Sequence, residues 1–420
     1  MDKLIIEGGR PLRGEVKISG SKNAALPIMA ATLLTDEPCT ISHVPRLRDI
    51  TTMIKLLRSL GKKVEMNEDR VEIASKGALH HVADYSLVST MRGSFCVLGP
   101  LLAKLGKAEV SFPGGCVIGV RPVDLHIKGL EDLGAKTRIE NGYVIATAKH
   151  LKGAHLYLGG AFGSSVLATA NVLMAAVLAE GETIIESAAC EPEVENLCRF
   201  LEAMGAKIEG VGSHRLVITG VKRLRGVRFR VIADRIEAGT YILMAAATKS
   251  DIALRDAPYA HLMALTDKLN QAGVELTCKN NLLKVKTKDR LKPVGVTTHP
   301  YPGFPTDLQA QFMALMALVP GVSVITERIY PDRFMHIAEL NRMGANIRRE
   351  GANAIVEGVK ELYGAPVMAS DLRASAALVV AGLAAKGRTE IHRIYHLERG
   401  YENLEGKLLA LGARIRREKE

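Results

Sequence analysis

At 420 residues the chain exceeds what one hydrophobic core usually serves, so two domains of ordinary size are expected. With 47% apolar and 24% charged residues the composition is globular, and with only 4% aromatics and no Trp the packing falls to small aliphatics. The formal charge of +11 invites a nucleic-acid reading, but no run of five or six like charges occurs, and Arg348-Arg349 and the Arg414 to Lys419 tail, mixed with Glu, read as solvated faces.

The chain opens with MDKLIIEGG, which lacks a basic segment followed by an apolar one, and no stretch reaches the ~18 apolar residues of a membrane span. A soluble cytoplasmic protein is expected, with no membrane and no nucleic-acid partner. The six cysteines (39, 96, 116, 190, 198 and 278) show neither CxxC spacing nor a companion histidine pattern for zinc, so reduced thiols are expected.

Along the chain one phrase recurs: LRSLG, LEDLG, LEAMG, LNQAG, LNRMG and LLALG, ending at Gly61, Gly134, Gly205, Gly273, Gly344 and Gly412, at spacings of 73, 71, 68, 71 and 68. Ahead of each glycine stands a helix rich in Ala, Leu and Met followed by a β-branched strand, as in ALPIMAATLL then CTISHV, and VLMAAVLAEG then TIIES. After it come two short strands, as in GAKIEGVGSHRLVITG, where Gly205 stops the preceding helix. Each unit reads as β-α-β-α-β-β, giving an α/β protein of six repeats, three per domain. The opening KLIIEGGRPLRGEVKISG resembles residues 217 to 233 and is expected to complete the last unit. The domains are therefore 21 to 231, and 1 to 20 with 232 to 420, with chain crossings near Gly20 and Ala233 as hinges.

Polar residues recur at equivalent places. In chain order, the starts of the Ala-rich helices carry Lys22-Asn23, Arg92, Ser164-Ser165, Asp234-Arg235, Asp307, and Asp371 with Arg373, each 37 to 42 residues before its unit's glycine. Ser and Asp are expected caps. Lys22, Arg92 and Arg235 oppose the helix dipole, which asks for a bound anion or a carboxylate partner. The loops after the middle strands carry Arg48, Arg121, Arg333 and Arg399, with Glu191 and Glu193 in the third unit, and arginine's planar fork suits carboxylate and phosphate.

The second unit's loop, PGGCVIGVRPVDLH (113 to 126), places Cys116 after a Pro-Gly-Gly turn with Arg121 nearby to favour the thiolate; a bystander thiol fits the spacing equally well. Cys39, Cys96, Cys198 and Cys278 lie in apolar runs and read as core. The segment GGAFGSS (159 to 165) is only loosely like a phosphate-cradling loop. No HExxH, nucleophile elbow or dinucleotide fingerprint is present, which removes support for metal, acyl-transfer and hydride chemistry, and His126, His392 and His396 read as structural or binding residues. No cofactor and no metal site are expected.

SGSKNAALP, TMRGSF, PGGCVIGVRPVDLH, ADRIEAGT, FPTDLQAQF, ITERIYPDRFMH, SDLRASAALV and RIYHLERGYE together resemble the UDP-N-acetylglucosamine 1-carboxyvinyltransferases, enolpyruvyl transferases that commit a sugar nucleotide to bacterial peptidoglycan synthesis. The resemblance runs from end to end. It implies two inside-out α/β domains with a cleft between them, and transfer of enolpyruvate from phosphoenolpyruvate to the 3-hydroxyl of UDP-N-acetylglucosamine with release of phosphate. By motif, Asp307 resembles the base, and Cys116 the proton donor and fosfomycin target. Lys22, Asn23, Arg121 and Arg399 resemble the phosphoenolpyruvate clamp, with Lys22 also catalytic. Arg92, Arg121, Pro122, Val123, Asp124, Leu125, Gly163, Ser164, Ser165, Val166, Asp307 and Ile329 match positions that hold the nucleotide sugar. Arg48, Arg235, Arg333, Asp371 and Arg373 match further cleft residues.

One departure stands out: Leu167 replaces the glycine of a Ser-Val-Gly-Ala-Thr motif, beside three extra residues near GGAFGSS. Related readings are the shikimate-pathway transferase, which lacks the PGGC loop, a non-catalytic sugar-nucleotide-binding paralogue, and an RNA-processing relative of similar repeat architecture.

Overall fold

The computed structural model describes residues 2–114, 123–288 and 290–420. Among the described residues the chain divides into two compact units, one formed by the residues up to Ser19 with Ala233–Glu420, the other by residues 20–114 and 123–232. Each unit has its own hydrophobic core. The chain passes from one to the other at Ser19–Gly20 and again at Ile232–Ala233.

Each core is built on helices rich in Ala, Leu and Met that are buried along most of their length, the polar residues among them included. In the unit of Gly20–Ile232 these are Lys22–Ala31, Leu98–Leu105 and Val166–Ala176. In the other they are Arg235–Ala247, Thr306–Met316 and Leu372–Ala384, and Thr306–Met316 packs against both of its companions. Pro27 stands inside the first helix and has no amide to donate to the Asn23 carbonyl. The outer helices are one-sided: Arg48–Ser59 buries Ile50, Met53, Ile54, Leu56 and Leu57 at helical spacing and turns its charged residues outward, apart from Asp49.

Around these helices lie six four-stranded sheets among the described residues, three in each unit, all with one ordering. In the third, His155–Tyr157 runs parallel to Glu182–Glu186, which is antiparallel to Arg215–Thr219, which is antiparallel to Lys207–Glu209. All six glycines of the recurring phrase have positive φ, from 83° at Gly412 to 107° at Gly205. That left-handed turn joins a helix end to the next strand, and residues with a Cβ adopt it at a cost.

The N-terminal segment is divided between two sheets. Asp2–Glu7 pairs with Arg388–His392 and Arg414–Lys419 and completes the sixth sheet, whereas Arg13–Lys17 runs parallel to Asp251–Arg255 in the fourth. Its counterpart Arg228–Arg230 lies beside Cys39–Ser42 in the first sheet. The expectation that the whole segment completes the last unit therefore holds for the first strand alone. Gly20, just past the first crossing, has no room for a side chain, because a Cβ there would meet the His43 carbonyl oxygen at 1.7 Å.

Cys39, Cys96 and Cys198 are buried, and Cys278 is exposed. Cys278 lies on the edge strand Val274–Lys279, past the buried Val274 and next to the hairpin turn. An apolar run did not by itself indicate burial.

Candidate active site

In the unit of Gly20–Ile232, Ser21 caps the first helix through Ala24 N–H, which puts Lys22 on the opening turn. The Lys22 ammonium donates to Asp49 Oδ2 at 3.0 Å, with side chains 10% and 5% exposed. The carboxylate partner that a cation at a helix N-terminus demands is thus Asp49. It sits one residue after Arg48, which opens its helix exposed to solvent. Asn23 is half-buried on the same turn as Lys22.

Arg92 is half-buried at the start of the turn that leads into Leu98–Leu105. Below it, Asn171 Oδ1 accepts from Gly99 N–H at 2.8 Å, so the amide nitrogen donates to the Phe95 carbonyl and to His126 Nδ1 at 2.8 Å. His126 therefore carries its proton on Nε2. Burial first, and the nearby Arg92 charge second, push its pKa down to about 3, so it is a neutral structural group.

Cys116, Arg121 and Pro122 lie outside the described residues. Val123 is buried ahead of the helix Asp124–Asp132, in whose first turn Asp124 is exposed and Leu125 half-buried. The GGAFGSS segment forms a tight hairpin, Gly159–Gly160 against Gly163–Ser164. A Cβ on Gly160 would stand 3.1 Å from Leu125 Cδ1, so Leu125 lies against this hairpin. Ser165 caps the helix Val166–Ala176 through Ala168 N–H. Val166 and Leu167 pack against the core. Glu191 precedes the helix Pro192–Met204, and Glu193 is buried in its first turn.

In the other unit, Asp234 and Asp371 cap their helices by accepting two backbone N–H groups each, and Arg235 lies over the Tyr301 ring at 5.5 Å. Asp307 stands in the first turn of Thr306–Met316 between two buried arginines. Arg333 Nη1 donates to its Oδ1 and Arg373 Nη2 to its Oδ2, both at 2.9 Å. Burial alone would raise this carboxyl's pKa, but the Arg373 and Arg333 charges outweigh it and hold the group well below the usual carboxylate range. Arg399 and Ile329 are half-buried.

Three contributors escaped the sequence reading. Asp49 is one. Glu327, fully buried, accepts from the hydroxyls of Thr298 and Thr306 and from Ile329 and Tyr330 N–H, while Thr306 Oγ1 accepts from Arg333; this ties the loop of Ile329 to the turn of Asp307. Tyr401 is the third, beneath Arg373. Glu327 and Tyr401 stand within quoted motifs, but their spacing alone carried no signal of a partner.

The arrangement gathers buried cations around a carboxylate, a setting for an anionic substrate and a hydroxyl proton. Comparison with known proteins agrees in kind. The profile of the EPSP synthase family (3-phosphoshikimate 1-carboxyvinyltransferase) matches residues 6–408, and the chain belongs to this family of enolpyruvyl transferases. Its relatives carry a more particular name. UDP-N-acetylglucosamine 1-carboxyvinyltransferase of Lawsonia intracellularis is 55% identical over 420 residues, covering 100% of both chains, and that of Methylacidiphilum infernorum is 52% identical over 417 residues, 99% of both. Among solved structures, the enolpyruvyl transferase NikO from Streptomyces tendae has a TM-score of 0.89 at 25% identity, covering 99% of this chain and 98% of its own. EPSP synthase from Acinetobacter baumannii shares the fold, with a TM-score of 0.76 at 20% identity and 100% of both chains covered. Among the described residues, no helix is long and apolar enough to cross a membrane.

Proposed function

We propose that this chain transfers the enolpyruvyl group of phosphoenolpyruvate to the 3-hydroxyl of UDP-N-acetylglucosamine, with release of phosphate, in the cytoplasm as the committing step of peptidoglycan synthesis. The observation that carries this reading is full-length identity above half to relatives of that name. The Asp307 setting supports it chemically.

The hydroxyl oxygen adds to C2 of phosphoenolpyruvate, its proton passes to Asp307, and the methylene carbon takes a proton from Cys116. Loss of phosphate and of one methyl proton then restores the double bond as an enol ether. Addition needs the anionic substrate neutralised, and Lys22, Asn23, Arg121 and Arg399 form its clamp. Arg92, Arg121, Pro122, Val123, Asp124, Leu125, Gly163, Ser164, Ser165, Val166 and Ile329 hold the nucleotide sugar, with Asp307 on its 3-hydroxyl. Arg48, Arg235, Arg333, Asp371 and Arg373 complete the set of charged residues that handle the anionic substrates. The paired arginines lower the basicity of this carboxylate, and an incoming anion that draws Arg333 away from Asp307 would raise it.

The deciding assay is phosphate release from phosphoenolpyruvate and UDP-N-acetylglucosamine without added metal. Turnover is expected; silence with that pair but turnover with shikimate 3-phosphate overturns the reading. Cys116→Ser should abolish or strongly reduce turnover, and fosfomycin should add mass to the parent chain alone. Labelling at another cysteine rejects the Cys116 assignment.

A further inference from the structure

Arg373 carries an unused donor. Its side chain is 3% exposed, Nη2 is on Asp307, and Nη1 is buried with no hydrogen-bond partner among the described residues. An orphaned N–H on a buried guanidinium costs at least ~1–3 kcal/mol, so the surroundings must hold it in place.

The group beneath it is Tyr401, whose ring centroid lies 5.5 Å from the guanidinium carbon and whose hydroxyl also lies within the guanidinium's polar reach, without a formed hydrogen bond to Nη1. The Tyr401 hydroxyl is tied to two of the core helices, and proton counting fixes the direction of each bond. Gln311 Nε2 donates to the Asp307 carbonyl at 2.9 Å, which sets the orientation of its amide. Its second proton serves the oxygens of Tyr401 and Thr240, each at 3.2 Å. Thr240 spends its only proton on the Ile236 carbonyl at 2.8 Å. The 2.9 Å contact between Tyr401 and Thr240 is therefore donated by the phenol. One hydroxyl thus links the backbone of Asp307's opening turn, the helix Arg235–Ala247, the face of Arg373 and the segment carrying Arg399.

We propose that Tyr401, held by Thr240 and Gln311, is a positioning residue that fixes Arg373 with Nη2 on Asp307 and Nη1 presented to the phosphate or carboxylate of the incoming substrate. This rests on the enolpyruvyl-transfer reading. It assigns Tyr401 no contact with the substrate; the residue acts through Arg373.

Tyr401→Phe keeps the ring and removes only the hydroxyl. The KM for phosphoenolpyruvate should rise about three- to tenfold, the worth of one hydrogen bond, while the KM for the nucleotide sugar stays put. In an Arg373→Lys background the same substitution should add little, because its effect runs through the guanidinium. Gln311→Leu approaches the phenol from the other side and should reproduce the shift. Binding of inorganic phosphate, measured by calorimetry on the folded variants, should weaken by a similar factor and needs no turnover. If the parent chain fails to release phosphate but the two variants still bind phosphate more weakly, the functional reading falls and the positioning role stands. Unchanged phosphate affinity in both variants, or a full additional loss in the Arg373→Lys background, overturns the positioning role. A fall in kcat with KM unmoved places the hydroxyl's effect on the transition state rather than on holding the anion, and overturns it as well.

Discussion

At the scale of single residues, charge and burial set two expectations. Asp307→Asn keeps the shape and removes the charge that both arginines face, and should lower kcat by about 10²- to 10⁴-fold as a lost proton acceptor. Because Arg373 and Arg333 hold the carboxyl below the usual range despite its burial, its ion-pair stabilisation is complete above the unfolded carboxylate pKa near ~3.9 and is lost only as pH falls below that. Asp307 should therefore contribute no acid limb to the kcat/KM profile above pH ~5. His126 behaves oppositely to a paired histidine. Its pKa is pushed down to about 3 from an ordinary 6.5, so its contribution to stability is complete above 6.5 and is lost as pH falls from there toward 3. The slope is at most ~1.4 kcal/mol per pH unit. Denaturant midpoints of the parent and His126→Asn across pH 4 to 8 should show the parent losing stability more steeply on the acid side; parallel curves refute this.

At the scale of elements, the segment ahead of the first crossing is anchored by a buried charge pair. Lys407 Nζ lies 2.6 Å from Glu237 Oε1 and 2.7 Å from Ser19 Oγ, while Ser19 N–H donates to Glu237 Oε2 at 2.7 Å. Glu237 is 2% exposed, and burial raises its pKa against the pull of Lys407. Lys407→Met leaves that carboxylate without its counter-charge and should cost about 3–5 kcal/mol by denaturant unfolding, whereas Lys407→Met with Glu237→Met should recover most of the loss. Without that recovery, the cost lies in packing rather than in the stranded charge.

At the scale of the whole molecule, two separate cores allow unfolding in more than one step, so a single melting temperature need not describe it. UDP-N-acetylglucosamine at a hundred times its Kd should stabilise whatever unit binds it by about 2.7 kcal/mol, read as an upward shift of one calorimetric transition; no shift counts against the binding reading. What the sequence by itself determined is what neighbouring residues decide. Six glycines recur because a left-handed turn joins helix to strand six times, the helices rich in Ala, Leu and Met are buried, and the polar residues at their starts are caps or charges at a dipole's end. The motifs that name the family are likewise read in order along the chain. Only the tertiary structure decided which of those residues meet. Asp49 answers Lys22 from 27 positions away, Arg373 reaches Asp307 from 66, and Tyr401 reaches Thr240 from 161. It also sent Arg13–Lys17 to the fourth sheet and left Cys278 on an exposed edge. Local backbone preference is written in consecutive residues, whereas ion pairs, strand partners and burial depend on how distant segments pack together.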